Sequence, residues 1–147
     1  DLCERALGAA DYIALARAYH TLALDGVPAF TAASSAAASR FVTLVDVLYE
    51  HRTRTFISAA GTPSALFANV FSRTAAAAAR APTGGGLPEG AWVDDNLAFA
   101  CERTISRLTE MQTLTYLVAH ARAHAPVLLL ALEEQQARRA AVPERRN

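Results

Sequence analysis

An amphipathic helix between two short β-prone runs is the feature that most constrains the fold of this chain. The stretch "SRFVTLVDVLYEHR", residues 39–52, repeats apolar residues at the i, i+3, i+4 and i+7 spacing of one helical face: Phe41, Leu44, Val45 and Leu48. The run "TLALDGVP" precedes this helix and the run "TRTFIS" follows it. Each run is brief, apolar and closed by turn-forming residues, which indicates a β-strand.

Further helices are predicted before the first run and after the second. They correspond to "GAADYIALARAYH", residues 8–20, and to "PSALFANVF", residues 63–71. A helix, strand, helix, strand, helix order at such short spacings favours parallel strands joined by crossover helices. The sequence therefore predicts an α/β fold with a helical carboxyl-terminal end. Because alanine tolerates helix so well, an all-helical bundle that absorbs both short runs remains the alternative.

The 147 residues amount to one ordinary domain or a piece of a larger one, and they divide into four segments. We expect an α/β part at 1–73, a low-complexity inserted loop at 74–93, an arginine-bearing helix at 94–125 and a helical charged tail at 126–147. The chain opens on Asp1 without methionine or a signal-peptide pattern, so we expect a longer protein. Its longest aliphatic run, "VLLLAL", is far shorter than the roughly 20 residues that span a bilayer.

Charge and residue usage exclude several functions. The formal net charge is +0, so no global field attracts nucleic acid or an anionic membrane surface. All 14 basic residues are arginine, so a phosphate loop of the form GxxxxGK[ST] and a catalytic lysine are both missing. Cys3 and Cys101 form no CxxC pair, and we predict that both are buried thiols.

The stretch "RTISRLTEMQ" carries the best candidate for a functional side chain. Ile105, Leu108 and Met111 share one helical side, whereas Arg103, Arg107 and Glu110 lie nearly opposite and are predicted to face away from the core. Spacing alone favours a solvated face with an ion pair between residues three apart. The functional hypothesis is an arginine that binds phosphate oxygens and stabilises charge during hydrolysis. Arg107 is the main candidate and Arg103 the weaker one.

Other polar residues give weaker signals. Asp25 ends an apolar run as a magnesium-binding aspartate does, although Asp-Gly is more often a turn, and Ser58 falls where open α/β sheets bind ligands. His120 and His124 lie one helical turn apart, but no third ligand accompanies them in sequence, so we predict no metal site. The triple glycine at 84–86 sits in low-complexity sequence and indicates a flexible loop.

Three ordered blocks resemble a known family. "LCERALGAADYIALARAYHTLALDGVP", "SRFVTLVDVLYEHRTRTFISA" and "RTISRLTEMQ" are similar to the carboxyl-terminal part of the ZapE-type AAA+ ATPases, whose mitochondrial members are the ATPase family gene 1-like, or lactation-elevated, proteins. The resemblance covers residues 2–73 and about 95–117. The family's Ser-Arg-Leu and Glu-Met-Gln correspond here to Ser106-Arg107-Leu108 and Glu110-Met111-Gln112, while Glu50 stands where the family usually has aspartate.

The resemblance implies a P-loop NTPase-like fold and an enzyme that hydrolyses ATP with Mg²⁺ to drive protein quality control or remodelling. It implies a homo-oligomer acting on protein substrates, in the mitochondrial matrix at the inner membrane in a eukaryote or in the cytoplasm in a bacterium. The family's phosphate loop and magnesium-binding aspartate lie upstream of these residues, so this chain alone should not hydrolyse ATP. Arg107 would then contact nucleotide, a neighbouring subunit or only Glu110. The alternative is a non-catalytic helical module that binds a partner helix in a groove.

Overall fold

The computed structural model describes residues 2–127, 129–131 and 134 of the chain. Helices and strands alternate from the start, with a short 3-10 turn at Ala32–Ser34 before the central helix. In chain order the elements are α1 (Ala9–Ala18), β1 (Thr21–Val27), α2 (Ser35–Glu50), β2 (Arg54–Ala59), α3 (Pro63–Leu66), β3 (Val70–Phe71), α4 (Arg73–Arg80), β4 (Trp92–Val93), α5 (Asp95–Glu110) and α6 (Leu114–His124). Much of the predicted tail at 126–147 lies outside the described residues.

Strands β1 and β2 lie side by side and parallel, and α2 is the crossover helix between them. Their register runs from Thr21 opposite Arg54 to Leu24 opposite Ile57. This arrangement confirms the predicted α/β fold with short parallel strands and crossover helices, and the all-helical alternative is wrong. The same pattern recurs in β3 and β4, which also pair in parallel.

The predicted turn at Asp25-Gly26 is wrong in one respect, because both residues lie inside β1. The regular register stops after Leu24 and resumes with Val27 opposite Ala59. Gly26 has a φ of +72°, a conformation that glycine adopts without steric cost. The dipeptide therefore bends the strand without ending it.

The structure also differs from the predicted helix over residues 63–71. Pro63 and the Thr62 cap start α3, but α3 ends at Leu66 and residues 70–71 form β3. The Asn69 side chain donates to the Phe30 carbonyl at 2.9 Å, and Trp92 N–H donates to the Asn69 carbonyl at 3.0 Å. These long-range hydrogen bonds favour an extended strand over a helix. In a helix, the Asn69 carbonyl would instead accept from a backbone N–H four residues further on.

Helix α4 occupies the start of the segment that the sequence indicated as an inserted loop. Ser72 caps this helix by accepting a hydrogen bond from Ala75 N–H at 3.1 Å. The alanine run that follows favours helix, because alanine has the highest helix propensity of any residue. Arg73 ties α4 to α5, since its backbone N–H and its Nε donate to Asp95 at 2.7 and 2.5 Å. The backbone and guanidinium donors lower the pKa of Asp95.

The core is built around α2, whose predicted apolar face is the buried one. Its contacts include an aromatic cluster of Phe30, Phe41 and Phe67, with ring centroids 5.4 to 6.2 Å apart. Leu97, Cys101 and Leu108 of α5 pack on the same core. The buried residues of α2 are Ala38, Phe41, Val42, Leu44, Val45 and Leu48.

The two cysteines differ in burial. Cys101 is buried, as predicted, and the loss of solvation raises the pKa of its thiol to about 12. Cys3 is only partly buried, so that part of the prediction is wrong, although burial still raises the pKa of its thiol. Neither thiol has the exposed, electropositive surroundings of a reactive cysteine. Among the residues with assigned structure, no helix has the length and apolar character needed to cross a membrane.

The direction of α2 sets the two edges of the β1–β2 sheet. The helix starts after the carboxyl end of β1 and ends just before the amino end of β2. Two hydrogen bonds close this amino edge: Thr53 N–H to the Leu48 carbonyl at 2.9 Å and Arg54 N–H to the His20 carbonyl at 3.0 Å. The last turns of α2 therefore lie toward the amino edge of the sheet.

Candidate functional site

Helix α5 carries the predicted arginines, and its own apolar side decides where they point. Asp94 caps the helix by accepting from Leu97 N–H at 2.9 Å. From there Leu97, Cys101, Thr104 and Leu108 follow at helical spacing and are buried. Because residues three or four apart share a helical side, Arg103 and Arg107 form a row that borders this buried stripe. The row faces α2, which packs against α5.

Two carboxylates of α2 accept hydrogen bonds from the two arginines. Arg107 Nη1 donates to Asp46 Oδ1 at 2.5 Å, and Arg107 Nη2 donates to Glu50 Oε1 at 2.9 Å. Arg103 Nη2 donates to the other oxygen of Asp46 at 2.6 Å. Asp46 and Glu50 are one helical turn apart, and so are Arg103 and Arg107. We call these four residues the ionic junction.

Burial differs among the members of the junction. The Arg107 and Asp46 side chains are 20% and 25% exposed, whereas Arg103 is 47% and Glu50 is 64% exposed. Ion pairs with high exposure contribute little to stability, because water screens them and the side chains lose rotamer entropy. The Arg107–Asp46 pair is thus the energetically important contact of the junction.

Aromatic rings complete the surroundings of Arg107. Its guanidinium carbon lies 4.8 Å from the centroid of the Tyr49 ring, a cation–π distance. The Tyr49 hydroxyl donates to Glu110 Oε2 at 2.7 Å, and this hydrogen bond raises the pKa of Tyr49. Tyr49 in turn stacks on Tyr116 with 5.8 Å between ring centroids. Arg107 is therefore held by two carboxylates and one ring face.

This geometry corrects the prediction of a solvated stripe that faces away from the core. Arg107 pairs with residues of α2 that are 57 and 61 positions away, and Glu110 accepts from Tyr49. The predicted pair between Arg107 and Glu110 is wrong for the part of the chain that the structure describes. One sequence signal could have found the true partners: Asp46 and Glu50 sit one turn apart on α2 and match the spacing of the arginines.

The other predicted polar residues lie elsewhere. Asp25 and Ser58 are neighbours on adjacent strands, since the pairs Leu24 with Ile57 and Val27 with Ala59 bracket them. Both side chains are exposed at the carboxyl edge of the sheet, where open α/β sheets bind ligands. The ionic junction sits on the last turns of α2, toward the amino edge. The structure therefore places Asp25 and Ser58 on adjacent strands at the carboxyl edge of the sheet and Arg107 toward the amino edge.

The triple glycine does not join a strand to a helix. Gly84 N–H donates to the Ala81 carbonyl and Gly86 N–H to the Ala79 carbonyl, so the glycines close the carboxyl-terminal end of α4. Gly86 has a φ of +80°, the left-handed conformation common after helices. A phosphate-binding loop would need a preceding strand and a following helix. The segment is thus a helix-ending turn.

Parallel strands, a crossover helix and a charged helix docked on that crossover together define an α/β protein of the parallel, layered class. The model of the AFG1-like ATPase family matches residues 1–79, a stretch that includes β1, α2 and β2. The chain belongs to this family, whose fold is that of the AAA+ type P-loop NTPases. The resemblance seen in the sequence is confirmed.

Two relatives show how much of the family the chain represents. Lactation elevated protein 1 homolog B of Danio rerio is 32% identical over 126 residues, which covers 81% of this chain and 25% of that protein. Cell division protein ZapE of Escherichia coli K12 is 32% identical over 116 residues, covering 79% of this chain and 24% of that protein. The chain thus spans about a quarter of the length of these relatives. No solved structure matches it significantly.

Proposed function

We propose that the polypeptide carrying this chain is an ATP hydrolase. The observation that supports this most is the family match across β1, α2 and β2, the parallel unit of the fold. The chemistry is attack of water on the γ-phosphate of ATP, with Mg²⁺ neutralising charge on the phosphates. Since the chain has no lysine for a GxxxxGK[ST] loop, the phosphate loop comes from sequence outside these 147 residues. These 147 residues alone should have no ATPase activity.

Arg107 is the candidate for the arginine that stabilises charge during hydrolysis, and Arg103 is the weaker candidate. Arg107 is fixed by Asp46, Glu50 and the Tyr49 ring, whereas Arg103 contacts Asp46 alone among these groups and is more exposed. A fixed guanidinium loses less entropy when it binds phosphate oxygens. Arg107 lies toward the amino edge, away from Asp25 and Ser58. We therefore infer that it contacts a neighbouring subunit or that subunit's nucleotide.

The cellular work that we propose follows from the family. Hydrolysis would drive protein quality control or remodelling through conformational changes in a homo-oligomer that acts on protein substrates. The Escherichia coli relative is named as a cell division protein. We propose a mitochondrial location, in the matrix or peripheral to the inner membrane, for a eukaryotic protein, and a cytoplasmic one for a bacterial protein.

The test uses the complete polypeptide that contains both this chain and a phosphate loop. ATP turnover and oligomeric state are measured for the unmodified protein and for Arg107→Ala. We expect turnover to fall by roughly tenfold or more, because a lost transition-state donor raises the barrier. Arg80→Ala is the matched control, since Arg80 is an exposed arginine near the end of α4, outside the junction.

Three outcomes are distinguishable. A complete polypeptide that binds no ATP and shows no turnover would overturn the ATPase proposal and leave the non-catalytic interaction module. Normal turnover and normal assembly of Arg107→Ala would remove Arg107 from the mechanism while the ATPase proposal stands. A loss of assembly together with turnover supports the subunit-contact role of Arg107.

A further inference from the structure

Strand β2 has one unpaired edge in the part of the chain that the structure describes. Its hydrogen-bonded neighbour is β1, and these two strands make up the whole of this sheet. Sheets in globular proteins most often have about four to six strands, and an edge strand is a template for pairing with another strand. The unpaired edge of β2 is therefore a surface at which the sheet can be extended.

Two hydrogen bonds to β1 and its end show which backbone groups of β2 point outward. Arg54 N–H donates to the His20 carbonyl at 3.0 Å, and Ala60 N–H donates to the Val27 carbonyl at 2.9 Å. Backbone groups of successive residues in a strand point to opposite sides, so the even-numbered residues of β2 face β1. The N–H and carbonyl groups of the odd-numbered residues point away from β1. We call these residues the outward row: Thr55, Ile57 and Ala59.

A groove of about 380 Å³ runs along the outward row. All three residues of the row line this groove, together with the exposed Phe56 between them. The opposite side of the groove is formed mainly by apolar side chains of the neighbouring helices, which are Phe41 of α2, Leu66 of α3, and Leu108 and Met111 at the end of α5. An extended segment in the groove would therefore have backbone partners on one side and apolar contacts on the other.

The two edges of the sheet differ in how they are protected against pairing. On β1 the register is irregular between Leu24 and Val27, and this stretch contains the exposed Asp25 and Gly26, whose φ is +72°. Bulges, charges and proline are the devices that protect an exposed edge strand in natural proteins. Residues 55–59 of β2 contain no charged residue and no proline. The edge of β2 thus has the character of a strand that is covered in the complete protein.

We propose that the outward row of β2 pairs with a further β-strand of the same polypeptide, from residues that lie outside these 147. The side chains of this strand that face the groove are apolar, because Phe41, Leu66 and Leu108 line it. The two relatives leave room for such a segment, since the matches cover 25% and 24% of their length. A tethered strand has a high effective concentration, so it covers the edge before a second copy or a separate peptide does. This inference shares with the ATPase proposal only the premise of a longer polypeptide.

Site-specific photo-crosslinking in the complete polypeptide identifies the occupant of the groove. Phe56 is 53% exposed and lines the groove, so it is replaced by the photoreactive analogue p-benzoylphenylalanine. Cells that express this variant are irradiated before the protein is purified. We expect a product with the mass of one chain. Peptide mass spectrometry should locate its cross-link between position 56 and a segment outside these 147 residues.

The matched control carries the same analogue in place of Phe99. This phenylalanine is 74% exposed on α5 and does not line the groove. We expect no cross-link from position 99 to the segment that position 56 reaches. The same cross-link from both positions would indicate a non-specific reaction and would contradict the proposal.

Hydrogen exchange of the unmodified complete polypeptide, resolved by residue, tests the pairing without a substitution. Ile57 N–H belongs to the outward row, whereas Phe56 N–H faces β1. We expect both to exchange at similarly slow rates, because each N–H donates within a sheet. Without a partner strand, Ile57 N–H should exchange roughly tenfold or more faster than Phe56 N–H.

Any of three results would overturn the proposal. The first is a cross-linked product with the mass of two chains, which would make the occupant a second copy. The second is a cross-link from position 56 to a different protein, or none to a segment outside these 147 residues. The third is fast exchange of Ile57 N–H. ATP turnover is measured on the same preparation, and its absence together with the intramolecular product would remove only the ATPase proposal.

Discussion

The ionic junction and the carboxyl edge of the β1–β2 sheet hold their polar groups in opposite ways. At the junction, carboxylates and guanidiniums meet at 2.5 to 2.9 Å, and the central pair is about three-quarters covered by protein. At the carboxyl edge, Asp25 and Ser58 lie on adjacent strands and are exposed. Partly buried charges that are paired join two helices, whereas exposed polar groups at strand ends remain accessible to a ligand. The difference separates residues that stabilise the fold from residues available for binding.

Arg107 belongs to the first group by its contacts and to the second by its proposed role. To bind phosphate, Arg107 would have to break its hydrogen bond to Asp46 or to Glu50. Glu50 is the more exposed of these two carboxylates. Asp46 would then remain as its anchor. Substitutions at the ionic junction and at the carboxyl edge show how much each region contributes to the free energy of unfolding.

The largest effect is expected for Asp46→Ala. This change leaves Arg107, at 20% exposure, without its shorter hydrogen bond and also removes the partner of Arg103. We expect a loss of about 2 kcal/mol in the free energy of unfolding, since hydrogen bonds between charged groups are the costlier ones to break. Urea denaturation measures it. A loss below 0.5 kcal/mol would show that the junction is a surface feature with no stabilising role.

A smaller loss is expected for Tyr116→Phe, which removes a buried hydroxyl that contacts two backbone carbonyls. The Leu48 and Thr53 carbonyls then lose one shared donor, and we expect about 1 kcal/mol of destabilisation. Urea denaturation at neutral pH measures this change as well. Tyr19→Phe is the matched control, because Tyr19 is 57% exposed and its substitution should have almost no effect.

The same variant should respond differently to alkaline pH. Burial raises the pKa of Tyr116 from 10.0 to about 12, so the folded protein keeps a proton that the unfolded chain loses first. The stability due to this shift is fully present below pH 10 and is lost as pH rises toward 12. Tyr116→Phe should therefore lose less stability than the unmodified protein over this interval. Parallel pH profiles would contradict the assignment.

Arg103→Ala should destabilise the protein by only about 0.3 kcal/mol, because an exposed ion pair is screened and entropically costly. The Arg103 side chain is 47% exposed, and Asp46 keeps its contact with Arg107. Thermal and urea unfolding curves should nearly superimpose on those of the unmodified protein. A loss comparable to that of Asp46→Ala would mean that Arg103 and Arg107 contribute equally to the stability provided by the junction.

The smallest effect is expected for Asp25→Asn at the carboxyl edge. Asp25 is exposed, and asparagine preserves its size and its tolerance of the bent strand. The free energy of unfolding should change by less than the roughly 0.3 kcal/mol expected for Arg103→Ala, since a conservative substitution on the surface usually has little effect. If urea denaturation instead shows more than 1 kcal/mol of loss, the edge contributes to stability, and the contrast with the junction fails.

Most of the fold was predictable because local patterns encode it. The periodicity of Phe41, Leu44, Val45 and Leu48 gave the buried face of α2, and the runs around it gave β1 and β2. Residues 70–71 were not predictable in this way, since a two-residue strand has no period and depends on pairing with residues 92–93. Only part of the site was predictable. The spacing of Arg103 and Arg107 showed that they share one side of a helix, but it did not show that this side faces α2.

By itself, the sequence determined the alternation of helices and strands, the family, and the absence of a lysine-bearing phosphate loop within this chain. These properties depend on the order and spacing of neighbouring residues. Only the tertiary structure decided that Arg107 pairs with Asp46 across 61 positions and that His20 meets His120 and His124. Such contacts depend on how α2, α5 and α6 pack together, and packing is set by side-chain shape across the whole core, which no local spacing records.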